Sequence, residues 1–362
     1  MTRIAFYAPL KPPGHPVPSG DRTMARAILA ALGDNPAGWP VDVASDLRLR
    51  DGAGDGAAQA RLAAAAAAEA ARLAADPRPW AVWVTYHSYW KAPDLIGPAI
   101  ARARRIPYVQ IEATRATKRL AGPWARFAAA AEAACDAAAV IFALTARDAE
   151  ALHRHRPAHQ RIAALAPFLD LSGLPEVPAM RPAAHLLAVG MMREGDKLAS
   201  YRALAAALAR LDHPGWRLTV AGDGPARAAV AAALDPFGPR VTLAGALGPE
   251  ALARAYADAT LMVWPGVNEA FGMVYLEAQA TGLPVLAEDR PGLDAVVRAG
   301  GLRVPPDDPA AMAAAIAALL ADPARRAALG AAGRAEVARD HLRPAATAAL
   351  WSAIGPLAGA GA

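Results

Sequence analysis

The chain has one cysteine, four lysines and no long uncharged apolar run in 362 residues. A lone thiol, Cys135, cannot close an intrachain disulfide, which fits a reducing compartment. The lysines are Lys11, Lys91, Lys118 and Lys197, so the formal charge of +5 is carried almost wholly by arginine. Those arginines are scattered and no basic–aromatic patch appears, so nothing supports a nucleic-acid partner. No uncharged apolar stretch reaches the ~20 residues that span a bilayer. The Ala-rich run Leu62–Ala75 is broken by Glu69 and Arg72 and reads as a helix. The opening residues, MTRIAFYAPLKPPGHP, lack the apolar core of a signal peptide. A cytoplasmic chain is expected, resting at the inner face of the membrane if its partner is lipid-linked.

What is present is a repeated alternation. Short apolar runs read as buried strands: Ile4–Pro9, Trp80–Tyr86, Tyr108–Ile111 and Val140–Thr145, then His185–Gly190, Leu218–Gly222, Val241–Gly245, Leu261–Pro265 and Pro284–Ala287. Helical segments lie between them, such as Asp21–Leu32 and Ala92–Arg104. This is the pattern of parallel sheets with crossover helices. The length exceeds the ~250–300 residues that one core usually supports, so two domains are expected. The Pro-rich segment Ser172–Ala184 breaks the alternation and reads as a linker. The expected division is residues 1–171, a linker over 172–184, and 185–343, with a last helix after Pro344 packing back on the first domain. Ligands of such sheets bind beyond the carboxyl ends of the strands, and a cleft between the domains is expected.

The most informative stretch is NEAFGMVYLEAQATGLPV, Asn268–Val285. It follows a strand end, and Met273–Ala280 reads as a helix stopped by Gly282-Leu-Pro284. Glu269 stands in the loop and Glu277 inside the helix. The free amides over Phe271, Gly272, Met273 and Val274 suit an anion or sugar hydroxyls. A carboxylate accepts from paired hydroxyls, so two acids here can hold two separate diols. Read alone, they also fit a solvated helix face and a helix-dipole partner.

A second cluster follows the strand that ends at Gly190. Arg193 and Lys197 can clamp a diphosphate there, or are simply surface cations. Gly20 opens a helix after the first strand, a position that meets phosphate or sugar. AGDGPAR, Ala221–Arg227, is a Gly-bounded turn with a structural reading. His87 closes the strand Trp80–Tyr86 and is a pocket candidate. Arg102, Arg104, Arg105, Arg115, Lys118 and Arg119 form a cationic stretch that fits either an acidic lipid surface or a solvated face.

Taken together these pieces resemble the retaining GT-B glycosyltransferases of family 4, the group 1 glycosyl transferases. The resemblance covers most of the chain and is strongest over Glu269-Ala-Phe-Gly-Met-Val-Tyr-Leu-Glu277 and the Ala-Gln-Ala-Thr-Gly-Leu-Pro-Val that follows. It implies two doubly wound α/β Rossmann-like domains, with the acceptor on the first and a nucleotide-sugar donor, UDP- or GDP-linked, on the second. By the same resemblance Glu277 takes the ribose hydroxyls, Glu269 the transferred sugar, and Arg193 with Lys197 the diphosphate. The clamp departs from the family pattern, because Met191-Met192 follow Gly190 and Arg193 precedes Lys197 by four. Glu112 stands where the family often has a histidine, and His87, one strand earlier, is the imidazole left to replace it.

The implied reaction is glycosyl transfer with retention, to a glycan, lipid-linked or small-molecule acceptor. No Asp-x-Asp pair sits at a strand end, so cations and amides are expected to meet the departing diphosphate without a metal or cofactor. A sugar-nucleotide epimerase or phosphorylase of the same shape is the alternative, as is a nucleotide-sugar-binding subunit that has lost catalysis.

Overall fold

The computed structural model describes residues 1–17, 19–177, 184–269 and 272–359. The chain divides into two compact units, Met1–Asp170 with the C-terminal segment from Arg343, and Leu171–Leu342. The Pro178–Ala183 part of the expected linker lies outside the described residues.

The first unit runs β1 (Arg3–Tyr7), α1 (Gly20–Gly33), β2 (Val41–Ser45), α2 (Gly56–Ala74), β3 (Trp80–Ser88), α3 (Gly97–Arg104), β4 (Tyr108–Ala113), α4 (Ala125–Ala137), β5 (Val140–Ala143), α5 (Ala146–Arg154) and β6 (Arg161–Ala164). Its strands form one parallel sheet in the order β2-β1-β3-β4-β5-β6. The central strands are buried on both faces, which is why they read as continuous apolar runs. Cys135 is buried in this core, and burial pushes its thiol up to about 12, so it stays protonated and inert.

The second unit runs β7 (His185–Val189), α6 (Asp196–Leu208), β8 (Arg217–Ala221), α7 (Arg227–Leu234), β9 (Val241–Gly245), α8 (Pro249–Asp258), β10 (Leu261–Val263), α9 (Met273–Ala280), β11 (Val285–Glu288), β12 (Gly301–Val304), α10 (Pro309–Ala321) and α11 (Pro323–Asp340). Its sheet is also parallel, ordered β12-β11-β10-β7-β8-β9. Asp308 caps α10 by accepting from the Ala310 and Ala311 amides, and Asp322 caps α11 through the Arg325 amide.

The last helix, α12 (Arg343–Leu357), belongs to the first unit. It packs on α1, where Thr347 Oγ1 donates to the Ala31 carbonyl at 3.0 Å. Arg343 bridges Asp34 at 2.8 Å and Asp170 at 2.7 Å. Trp351 meets Trp39 edge to face, with ring centroids 5.6 Å apart.

Two sequence expectations are corrected. The helix expected from Ala92 begins at Gly97. The cause is Asp94, whose buried carboxylate accepts from the Ile96 and Gly97 amides and from Thr85 and Tyr108 hydroxyls, holding residues 92–96 in a turn. The expected cationic face is also smaller than it reads. The Arg104 guanidinium donates to the carbonyls of Leu73, Asp76 and Arg78. Arg115 is only 4% exposed and pairs with Glu132 and Asp136. Arg119 lies 4.4 Å over the Trp90 ring. Arg102, Arg105, Lys118 and Arg119 remain exposed.

Candidate functional site

In the second sheet the strand order reverses between β7 and β10, neighbours from which the chain winds outward in opposite directions. Crossovers leave such a pair on opposite faces, opening a crevice beyond their carboxyl ends. The loops after these two strands carry Arg193 and Glu269, and the helix that follows β7 carries Lys197.

Lys197 sits in the first turn of α6 and forms an ion pair with Glu269, 72 positions away. The Trp264 indole donates to the same Glu269 oxygen at 3.1 Å, and the Lys197 ammonium lies 5.6 Å from the Trp264 ring centroid. The Trp264 carbonyl accepts from the Tyr275 hydroxyl at 2.9 Å. Its ring meets Tyr201, centroids 4.8 Å apart, and the Tyr201 hydroxyl donates to the Gly190 carbonyl at 2.6 Å. The loop after β10 is tied to α6 twice more. The Val267 amide donates to Ser200 Oγ at 3.0 Å, and Asn268 Nδ2 to Asp196 Oδ1 at 3.1 Å. A basic and an acidic side chain from distant loops are thus held together by a buried aromatic brace.

Glu277 projects from the middle of α9 and is half-buried. The Tyr256 hydroxyl donates to it at 2.6 Å. Burial pushes the Glu277 carboxyl above its ordinary range, and the Tyr256 hydrogen bond offsets only part of that. Gly272 opens α9 with φ +57°, a left-handed angle that glycine adopts without cost. Met273 and Val274 form the first turn, where amides lack intrahelical partners. Phe271 lies outside the described residues.

Arg193 is exposed, its guanidinium 3.2 Å from Met191 Sδ, with no ion pair among the described residues. The Met191-Met192 departure has a packing reason: Met192 is fully buried, while Met191 is exposed. The Met192 amide donates to the Asp223 carbonyl at 2.9 Å, which stitches this loop to the AGDGPAR turn.

In the first unit the order reverses between β1 and β3. Asp21, in the first turn of α1, and His87, at the end of β3, lie there together. His87 Nδ1 is 3.1 Å from Asp21 Oδ1 and 3.7 Å from Glu112 Oε1 on β4. His87 and Glu112 are both left-handed, at φ +55° and +58°. Such angles cost a non-glycine residue on the order of 1–3 kcal/mol each. Burial pulls the His87 imidazole down, but Glu112 and Asp21 outweigh it and hold it above its ordinary value. Burial pushes Glu112 up more than His87 pulls it down. Gly20 opens α1, with Ser19 as the cap accepting from the Arg22 amide at 3.2 Å. Gly20 has open space around its Cα and no left-handed φ, so its backbone does not require glycine.

Among the described residues, Glu336, Asp340 and His341 come close enough to share an ion. Arg298 already donates to both carboxylates, which supplies the positive charge a metal would bring. None of the three lies in the loops after β7 or β10.

The sequence reading missed Trp264, Tyr201 and Tyr256. Trp264 had a signal, an aromatic at the end of the apolar run LMVWP. The tyrosines lie on helices with nothing local to single them out.

Residues 183–322 match the model of a family described as glycosyl transferases group 1. Over 132 residues the chain is 40% identical to the D-inositol 3-phosphate glycosyltransferase of Nocardia farcinica, covering 34% of this chain and 29% of that protein. Over 134 residues it is 38% identical to an exopolysaccharide phosphotransferase of Streptomyces coelicolor, covering 36% and 14%. The match thus spans less than a third of the length of either relative. Among solved structures, sucrose-phosphate synthase of Thermosynechococcus elongatus superposes with a TM-score of 0.74 at 22% identity, covering 99% of this chain and all of that one. Anabaena HepE, solved in complex with UDP, gives 0.71 at 14% identity, covering 98% of this chain and all of that one. The chain therefore has the GT-B fold, two Rossmann-like parallel-sheet units, with a segment similar to group 1 glycosyl transferases across residues 183–322.

Proposed function

We propose that this protein transfers a glycosyl group from a UDP-sugar to a hydroxylated acceptor, with retention of anomeric configuration. The observation that carries the reading is the Lys197–Glu269 pair, braced by Trp264 at the β7–β10 crevice beside the start of α9. Group 1 similarity over 183–322 supports the reaction class, and UDP in the HepE structure supports the nucleotide. Glu277 takes the ribose hydroxyls. Glu269 takes a hydroxyl of the transferred sugar, and the amides of Gly272, Met273 and Val274 meet the sugar or the phosphates. Lys197 and Arg193 stabilise negative charge on the departing diphosphate, a contribution that grows as the glycosidic bond breaks. Lys197 has a second task, since it neutralises Glu269 until the donor arrives. A diphosphate drawing Lys197 toward itself frees Glu269 to accept from the sugar.

Two results are expected. UDP at a hundredfold excess over its Kd raises stability by about 2.7 kcal/mol, read as a thermal shift larger than that from matched GDP. Turnover of the UDP-sugar persists in EDTA, because Arg193, Lys197 and amides meet the diphosphate. Loss of turnover in EDTA with recovery on adding Mg²⁺ or Mn²⁺ refutes the metal-free part, and absence of any nucleotide-induced shift refutes the donor assignment. Anomeric proton couplings of the isolated product decide retention against inversion.

A further inference from the structure

The amides proposed to meet the donor stand at the start of α9. The other end of that helix is held by a side chain from α11. Arg334 Nη1 donates to the Ala280 carbonyl at 2.6 Å and to the Pro175 carbonyl at 2.7 Å. Ala280 is the last residue of α9, and Pro175 lies in the described part of the linker, Ser172–Val177. Both hydrogens of one nitrogen are therefore used, one on the helix and one on the linker. The Val177 side chain lies at the same place, 3.7 Å from where a Cβ on Gly282 would stand.

The helix that carries Arg334 is itself fixed against α9. A Cβ on Gly330 would stand 2.1 Å from the Gly282 carbonyl oxygen, and one on Gly333 2.7 Å from the Gly300 Cα, so α11 crosses at backbone contact. Gln279 Nε2, in the last turn of α9, donates to the Val296 carbonyl at 2.7 Å. Arg298, two residues on, pairs with Glu336 and Asp340 further along α11. α11 ends at Asp340, and the chain leaves the second unit after Leu342. α9 has eight residues, too few to hold a helix by itself. Helix formation is cooperative, so order imposed at one end lowers the cost of order at the other. An anion at the first turn and a guanidinium at the last carbonyl also act on the same row of peptide dipoles.

We infer that Arg334 is a positioning residue that couples nucleotide binding at the start of α9 to the order of the linker. A diphosphate at the first turn orders α9, the Ala280 carbonyl is held at Arg334, and the nitrogen fixed there keeps its second hydrogen on Pro175. The two ends of the helix are about 12 Å apart, so Arg334 acts through α9 and not on the nucleotide. The inference rests on the donor assignment above for the identity of the nucleotide. Coupling of this kind is reciprocal: the factor by which nucleotide protects the linker is the factor by which the linker contact tightens nucleotide binding. Loss of the hydrogen bonds from Arg334 sets that factor at about two- to tenfold.

The test uses the full chain with UDP as the probe. Amide hydrogen exchange at Leu174, Glu176 and Val177 is followed with and without UDP, and calorimetry gives the Kd. R334M keeps the apolar stem and removes both donors, while R334K keeps a charged donor that can serve both carbonyls. In wild type, UDP should slow linker exchange about two- to tenfold. R334M should exchange faster, no longer respond to UDP, and bind UDP more weakly by the same factor. R334K should restore both properties in part, and its two factors must still match, which decides the case if R334M does not fold. Faster exchange in R334M with an unchanged Kd overturns the inference, since a clamp that only supports the fold gives that result. UDP binding to wild type with no change in linker exchange overturns it too. Both of these outcomes leave the donor reading standing, whereas a wild type that binds no UDP removes the donor reading and the coupling together.

Discussion

Alanine at Glu277 is expected to lower the affinity for free UDP about ten- to a hundredfold, while alanine at Glu269 leaves it nearly unchanged and lowers transfer by a similar factor. A hydrogen bond to a charged group is worth about 1.5–3 kcal/mol, and each 1.4 kcal/mol is tenfold. Glu277 stands inside α9 and among the described residues accepts one hydrogen bond, from Tyr256, which leaves acceptor capacity on its carboxylate for ribose hydroxyls. Glu269 stands in the loop and is held by Lys197 and Trp264. Removing it also releases Lys197, whose charge then remains available to the diphosphate, so binding of the bare nucleotide does not fall. Calorimetry with UDP and a transfer assay on both variants check the division. The reverse pattern exchanges the two roles, and no change in either variant leaves the two acids with their structural contacts to Tyr256, Lys197 and Trp264 alone.

Glu277→Gln separates binding from folding. Burial raises the Glu277 carboxyl, so the folded state holds its proton more readily than the unfolded chain does. The stability linked to that proton is complete below the unfolded value, near 4.3 for a glutamate, and is lost as pH rises through the folded value. At neutral pH the ionised form therefore costs stability. Glutamine keeps an acceptor for Tyr256 and removes the charge. The variant should be as stable as wild type or slightly more stable, and still bind UDP poorly. In wild type, UDP affinity should fall as pH drops through the folded value, because the protonated acid loses acceptor capacity. That limb should be absent in the glutamine variant.

Alanine at Gly222 is expected to destabilise the second unit by roughly 1–3 kcal/mol or more and to weaken donor binding with it. Gly222 follows β8 with φ +153°, and a Cβ there would stand 1.9 Å from the Gly190 carbonyl oxygen. The obstacle is backbone, not the end of a flexible side chain. That carbonyl accepts from Tyr201 at 2.6 Å, and the Gly222 amide donates to the Gly245 carbonyl at 2.8 Å. Neither strand end can retreat without breaking one of these bonds and shifting the loop that leads to Lys197. Denaturant unfolding followed by far-ultraviolet circular dichroism reads the loss. Gly20→Ala is the control. It meets nothing within 4 Å and needs no left-handed φ, so it should be neutral or stabilise by about 0.4–1 kcal/mol. A Gly222→Ala protein as stable as that control would show that the two strand ends separate freely.

The strands missed in the sequence share a place in the fold. β2, β6 and β12 are edge strands, not buried along most of their length, and their apolar residues are too few or too interrupted to stand out. Central strands are buried on both faces and declare themselves as apolar runs. α9 spans the expected Met273–Ala280, because a loop glycine before it and Thr-Gly-Leu-Pro after it punctuate both ends locally.

The sequence by itself determined the alternating α/β pattern, the position of Glu269 in a loop and of Glu277 in the helix that follows, because these depend on residues close together in the chain. Tertiary structure decided which groups meet. Lys197 finds Glu269 across 72 positions only because β7 and β10 are neighbours at the reversal of strand order. Trp264 becomes a brace only once Tyr201 and Tyr275 pack around it. Glu112, read in sequence as a departure from a family pattern, becomes half of a half-buried pair only when parallel register sets β4 beside His87. Arg104 and Arg115, legible only as surface charge, turn inward to carbonyls and carboxylates supplied by distant segments. Local propensity is written residue by residue, whereas contact between charges depends on how the sheets are wound.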